Sequence, residues 1–218
     1  MKEEKFTFLS ADNKTTIHGI WWKPEQPPKG VLQIAHGLTE YGQRYEDFAE
    51  FLTGYGYAVA VNDVIGHGES VTPGEEPVHI EKWEYTVKDF GTCRRRTEER
   101  FGGLPYYMLG FSLGSFILHS YLTEHAQGIQ GVILAGTGMI PDFQLKIAKA
   151  YVKHIGKKAG MNRKDPRIHD LRILLSVPFR EEICESAPEG IKATGTSPFD
   201  FRRPGSGGGF WKRCGKVV

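Results

Sequence analysis

The chain has 218 residues, with 39% hydrophobic and 25% charged side chains and a formal net charge of +2. A length of this order suits one domain that buries about 70% of its unfolded surface. The near-neutral charge gives no basis for a nucleic-acid or membrane-surface role. Met1-Lys2-Glu3-Glu4-Lys5 lacks the apolar core of a signal peptide, and no apolar stretch approaches the ~20 residues that span a bilayer. Cys93, Cys184 and Cys214 lie far apart without metal-ligand spacing, and read as free thiols of a reducing cytoplasm.

In chain order, Lys5 to Leu9 and Thr15 to Trp22 read as two strands joined by the turn Ala11-Asp12-Asn13-Lys14. Val31 to Ala35 is a short apolar strand that ends at His36-Gly37. Tyr45 to Tyr55 has helical periodicity, punctuated by Gly54 and Gly56. Tyr57 to Val61 is a continuous apolar run, the mark of a strand buried on both faces. Ile80 to Phe101 reads as a charged amphipathic helix, Leu104 to Leu109 as a strand, and Leu113 to His125 as a helix. Gly131 to Leu134 is one more strand. Such alternation predicts an α/β fold with a mostly parallel sheet covered on both faces and an antiparallel edge from the first two strands. Beyond Met139 the pattern weakens: Phe143 to Ile155 reads as a helix, Gly156 to Asp170 as a basic loop, and Leu171 to Cys184 as a region with room for one further helix.

Gly110-Phe111-Ser112-Leu113-Gly114 lies between a strand and a helix. A G-x-S-x-G at such a turn forms a nucleophile elbow, in which glycines allow the backbone to crowd and the turn exposes the serine hydroxyl. Ser112 is therefore the candidate nucleophile. Acyl transfer also needs donors for the oxyanion that develops on the acyl carbon. One is the N–H after the nucleophile, on Leu113; the other comes from the loop after the third strand, where Leu38 is the candidate. His36 and His67 precede the serine and read as loop-positioning residues. Trp21, Trp22 and Trp83 read as packing residues.

His36-Gly37-Leu38-Thr39-Glu40 with Arg44-Tyr45, Asn62 to Ser70 with its Gly66-His67-Gly68, and Gly110 to Ser115 resemble three ordered motifs. They are those of the monoacylglycerol lipase and lysophospholipase branch of the α/β-hydrolases, the serine aminopeptidase S33 type. The resemblance covers about residues 5 to 140. It implies an α/β-hydrolase fold and a small-molecule carboxylic ester with a fatty acyl chain as substrate. It implies no metal or organic cofactor. The charge, the lack of an apolar span and the scattered cysteines set the further expectations: no nucleic-acid partner, no stable membrane insertion beyond transient lipid contact, and a cytoplasmic location. Within the oxyanion loop, His36, Gly37, Glu40 and Arg44 are expected to act as supports, Glu40 and Arg44 as an ion pair. The expected organisation is a core over 1–138, a shortened helical cap over 139–190 and an aberrant, disordered tail over 191–218. A peptidase or thioesterase of the same fold, and a non-catalytic binding module, stay open as alternatives.

The family order places an acid and then a histidine after the serine. His119 and His125 lie on the helix that leaves Ser112, His154 and His169 fall in the cap region, and no histidine follows Asp170 in these residues. A complete triad is therefore not expected. In this family the acid sits in a segment like L-L-I-S-G-D-x-D-P-V-G-D-F-G-K-G-V. Codons chosen for Ser197 to Val218 and read one base further on give P-L-L-I-S-G-D-Q-D-P-V-G-D-F-G-K-G-V-E-K-L. The tail thus reads as family sequence out of frame, with the slip between Ile191 and Ser197, the acid encoded across Gly205 and Ser206, and the histidine beyond the present stop. The rival readings are an RNA-binding Gly/Arg/aromatic tail and a merely disordered one.

Overall fold

The computed structural model describes residues 1–74, 77–138 and 142–159. These fall into two compact units, one comprising Met1–Thr137 and one that begins at Gly138. The expected tail, most of the expected cap, Cys184 and Cys214 lie outside the described residues.

The first unit contains strands β1 (Lys2–Leu9), β2 (Thr16–Lys23), β3 (Gly30–Ala35), β4 (Tyr57–Asn62), β5 (Tyr106–Phe111) and β6 (Ile129–Ala135). Its helices are α1 (Glu46–Gly54), α2 (Trp83–Arg100) and α3 (Leu113–His125), with short 3₁₀ turns at Gly42–Tyr45 and Gly68–Ser70. Of the second unit, the described element is helix α4 (Asp142–Ala159). The sheet order is β1-β2-β4-β3-β5-β6. β3, β4, β5 and β6 run parallel, and the expected antiparallel edge is present: β1 pairs with β2, and β2 continues antiparallel onto β4. Among the described residues β6 pairs with β5 alone, and Ile133 on it is 53% exposed.

The apolar runs are explained by burial on both faces. Val31, Ala58, Ala60 and Met108 face Phe90, Cys93, Ile117 and Leu118 of α2 and α3. Leu32, Ile34, Val59 and Val61 face Tyr45, Phe48 and Ala49 of the α1 side. Successive residues of a strand point to opposite faces, so a sheet sandwiched between helices loses the polar alternation. Gln33 is the polar exception in β3. It is fully buried and satisfied, donating to Phe90 O (3.0 Å) and accepting from Tyr106 Oη (2.7 Å). Trp21 and Trp22 are buried, and Trp21 Nε1 donates to Thr97 Oγ1 at 2.9 Å, consistent with their packing reading. Cys93 is a buried free thiol whose pKa burial pushes up to about 12.

β5 starts two residues later than expected, at Tyr106, because Pro105 has no N–H for the ladder. Its carbonyl still contributes, accepting Val31 N–H at 2.9 Å. The turn after β1 is closed by Asp12, whose side chain accepts from Lys14 N, Thr15 N and Thr15 Oγ1.

The strand order places the site. From β3 the chain moves to β4 on one side, then crosses to β5 on the other. In an open α/β sheet such a reversal leaves a crevice at the carboxyl ends of the two strands that flank it. Those strands are β3 and β5, and Ala35 lies opposite Gly110 in their register.

Candidate active site

The crevice is bordered by the loop after β3 and the turn between β5 and α3. Ser112 occupies that turn with φ +50° and ψ −112°. A non-glycine residue there is strained by the order of 1–3 kcal/mol and is held only by its surroundings. Three backbone and side-chain bonds hold it. Ser112 N donates to Ala135 O at 2.8 Å, while Ser112 O accepts from Ser115 N (2.9 Å) and Ser115 Oγ (2.6 Å). The Ser112 side chain makes no capping bond to α3, so its hydroxyl is not spent on the helix.

The elbow glycines answer to geometry. A Cβ on Gly110 would lie 2.6 Å from Gly114 O, and one on Gly114 would overlap the Ala35 carbonyl. Position 114 therefore brings α3 directly onto the end of β3, which sets Ser112 beside the His36–Leu38 loop. The Leu113 N–H is the first of α3 and has no intrahelical acceptor, and it lies at the positive end of the helix.

The loop after β3 is built on buried polar contacts. His36 is fully buried. Its Nε2 accepts Val64 N–H at 2.9 Å, which places the ring proton on Nδ1; that nitrogen donates to Gly37 O at 2.8 Å. Burial lowers the His36 pKa, and the neighbouring His67 ring at 5.4 Å pushes the same way; the Gly37 carbonyl, Asp63 and Glu40 oppose this. Gly37 N donates to Glu40 Oε2 at 2.9 Å, and Tyr45 Oη donates to the same oxygen at 2.8 Å. Tyr45 is buried and its phenol pKa is raised, first by desolvation and then by the Glu40 carboxylate. Leu38 is 39% exposed at the lip of the crevice.

The expected Glu40–Arg44 ion pair is not formed: among the described residues Glu40 holds Gly37 and Tyr45 instead, and the Arg44 N–H donates to Tyr41 O at 3.2 Å. Asp63, Val64, Tyr45 and Ser115 lie within the motifs, but the sequence assigns them no role. Asp63 Oδ1 accepts Gly42 N–H at 2.6 Å and Oδ2 accepts Glu69 N–H at 2.8 Å, tying the end of β4 to both loops. Among the described residues no side-chain base is hydrogen-bonded to Ser112 Oγ, and His119 and His125 sit on α3, which leads away from the serine. No group of three or more His, Cys, Asp or Glu that could hold a metal occurs among the described residues. Nor is any helix among them long and apolar enough to cross a membrane.

A mostly parallel sheet with helices on both faces and a strained serine at the strand-to-helix turn after β5 defines an α/β-hydrolase fold. The family model described as serine aminopeptidase, S33, matches residues 26–181. The chain belongs to that family. It is 30% identical over 154 residues to the monoacylglycerol lipase of Mycolicibacterium smegmatis, a match covering 70% of this chain and 54% of that one. It is 32% identical over 114 residues to the monoglyceride lipase of Homo sapiens, covering 52% of this chain and 37% of the relative. The chain thus spans about half the length, or less, of these curated relatives. Among solved structures, a thermostable carboxyl esterase from Bacillus coagulans in complex with glycerol superposes with a TM-score of 0.69 at 26% identity. That match covers 78% of this chain and 56% of the esterase.

Proposed function

We propose that the chain carries the nucleophile and oxyanion half of a serine esterase that acts on carboxylic esters of the monoacylglycerol or lysophospholipid type. The observation that carries this reading is the strained Ser112, uncommitted to capping, at the crevice between β3 and β5. Ser112 Oγ attacks the ester carbonyl carbon, and a base takes its proton. The carbonyl oxygen becomes an oxyanion beside the Leu38 and Leu113 N–H groups, where preorganised donors are worth most. The intermediate collapses to a Ser112 acyl-enzyme with loss of the alcohol, and water releases the acid. The names of the relatives favour an ester over a peptide substrate: monoglyceride lipase, monoacylglycerol lipase and carboxyl esterase.

Turnover by these 218 residues is low in this reading, because no histidine follows Asp170. Loss of the base from a triad lowers turnover by ~10⁶. A second reading is a degenerate hydrolase that binds an acyl ester without turning it over, favoured by the absence of a side-chain base hydrogen-bonded to Ser112 among the described residues. Hydrolysis of p-nitrophenyl butyrate separates the two. Release of p-nitrophenol that disappears in Ser112→Ala supports the esterase. Saturable binding of monoacylglycerol with no Ser112-dependent release supports the binding module. Turnover at ordinary enzyme rates would overturn the low-activity reading.

A further inference from the structure

The loop of residues 62–70 has no part in the chemistry proposed above, yet it holds the oxyanion loop at three points. Val64 N–H meets His36, Asp63 meets Gly42 N–H, and His67 Nε2 meets Leu38 O at 2.8 Å. The third contact bears on the residue that offers the oxyanion donor.

Leu38 lies between two peptide units. The unit before it carries the Leu38 N–H, and its carbonyl, Gly37 O, accepts from His36 Nδ1 (2.8 Å) and Glu40 N (3.2 Å). The unit after it carries Leu38 O, which accepts from His67. Peptide units are planar, so the bonds to Gly37 O direct the Leu38 N–H, and fixing the carbonyl on the other side as well fixes both Leu38 dihedral angles.

His67 is itself held for this task. It is buried, and it stands between Gly66 at φ +78° and Gly68 at φ +52°. A Cβ on Gly68 would overlap the Asp63 carboxylate, and one on Gly66 would overlap the His79 carbonyl. Two left-handed glycines turn the chain sharply on either side of the ring. His67 N donates to Val64 O at 2.9 Å, and Nδ1 lies 3.0 Å from Ile65 O. Both ring nitrogens face carbonyl oxygens, which only accept. The shorter contact, to Leu38, is the bond that crosses between the loops.

We infer that His67 is a positioning residue for the loop that carries the oxyanion donor: by holding the Leu38 carbonyl it fixes the peptide unit after Leu38, and with it the path of the chain on which the Leu38 N–H sits, without touching substrate. The inference rests on the Ser112 esterase reading for its catalytic consequence, but not for its structural one.

The test compares the full chain with His67→Phe, which keeps a ring and removes the donor, and His67→Gln, which keeps a donor. His67→Asn, too short to reach Leu38, takes the place of the Phe variant where that chain does not fold. Hydrogen exchange of the peptide spanning 36–45 is read by mass spectrometry, with the peptide spanning 106–125 as internal reference. The donor-less variant is expected to exchange at least about tenfold faster in the first peptide and to stay within about twofold in the second. With p-nitrophenyl butyrate, kcat falls about 10- to 100-fold with KM held within about twofold, and Gln restores most of it. Unchanged exchange in 36–45, or equal loss in the Phe and Gln chains, overturns the inference. If the wild-type and Ser112→Ala chains release p-nitrophenol equally, the esterase reading fails, and exchange alone decides on His67.

Discussion

His36 Nε2 accepts the amide of Val64 across 2.9 Å, joining the loop after β3 to the loop after β4 through a neutral imidazole. Protonation at that nitrogen would set two donors face to face. The groups around the ring are His67, Asp63 and Glu40, and the net effect of burial and these neighbours is a lowered pKa. A histidine with a lowered folded pKa contributes stability that is fully present above the ordinary histidine range, near pH 6.5. That stability is lost as the pH falls from there through the folded value. The melting temperature should therefore drop between about pH 7 and pH 5, and less so in His36→Asn. Parallel curves for the two chains would show that His36 is not the group responsible.

Ser112 stores strain that glycine would not. Replacing it with glycine should raise stability by about 1 kcal/mol relative to Ser112→Ala, after the entropic cost of glycine offsets part of the relief. Both variants should lack Ser112-dependent release. Denaturant melts of the two chains measure the difference, and an Ala chain as stable as the Gly chain contradicts the strain argument.

Gly114→Ala should be the more damaging change at the elbow. The added methyl overlaps the Ala35 carbonyl, so α3 or β3 must shift. Overpacking of this kind costs typically 1–3 kcal/mol. A melt at the wild-type temperature would mean that the two elements are not in the contact described.

Glu40 and Arg44 should separate on mutation. Glu40→Ala leaves the Gly37 N–H and Tyr45 Oη without their acceptor and should lower stability by about 1–3 kcal/mol. Arg44→Ala should change it by less than about 0.5 kcal/mol, as is usual for a surface charge away from such features. Equal losses, read by urea melts, would restore the ion pair.

The out-of-frame reading of the tail is checked on the DNA. The frame one base forward through Ser197 to Val218 should encode the string ending G-V-E-K-L. Stops or unrelated residues in that frame would remove the idea and leave the tail as ordinary coding sequence.

Much of this fold is legible in the sequence because burial on both faces writes itself as apolar runs. Val31 to Ala35 and Tyr57 to Val61 needed no partner information, and the elbow is marked by a strand before it and a helix after it. β5 begins two residues beyond the expected Leu104, because Leu104 extends the apolar run while Pro105 cannot join the ladder. The strained turn at Ser112 is legible for the same local reason. Its bracing is not. Asp63 serves Gly42, 21 residues away, and His36 serves Val64, 28 away; no local periodicity encodes bonds between loops. The Glu40–Arg44 pairing failed similarly. Spacing puts opposite charges near each other, but a buried N–H and a phenol compete for the same carboxylate oxygen, and the carboxylate bonds to them instead.

The contact at Gly114 also bears on how such chains change under mutational drift. Position 114 cannot accept a side chain whether or not esters are hydrolysed, since the obstacle is the backbone of β3. Selection for folding alone would then preserve both glycines of the pentapeptide, while Ser112, strained and uncommitted, is the position released once chemistry no longer matters. In a lineage losing activity, the frame of the motif should outlast its serine.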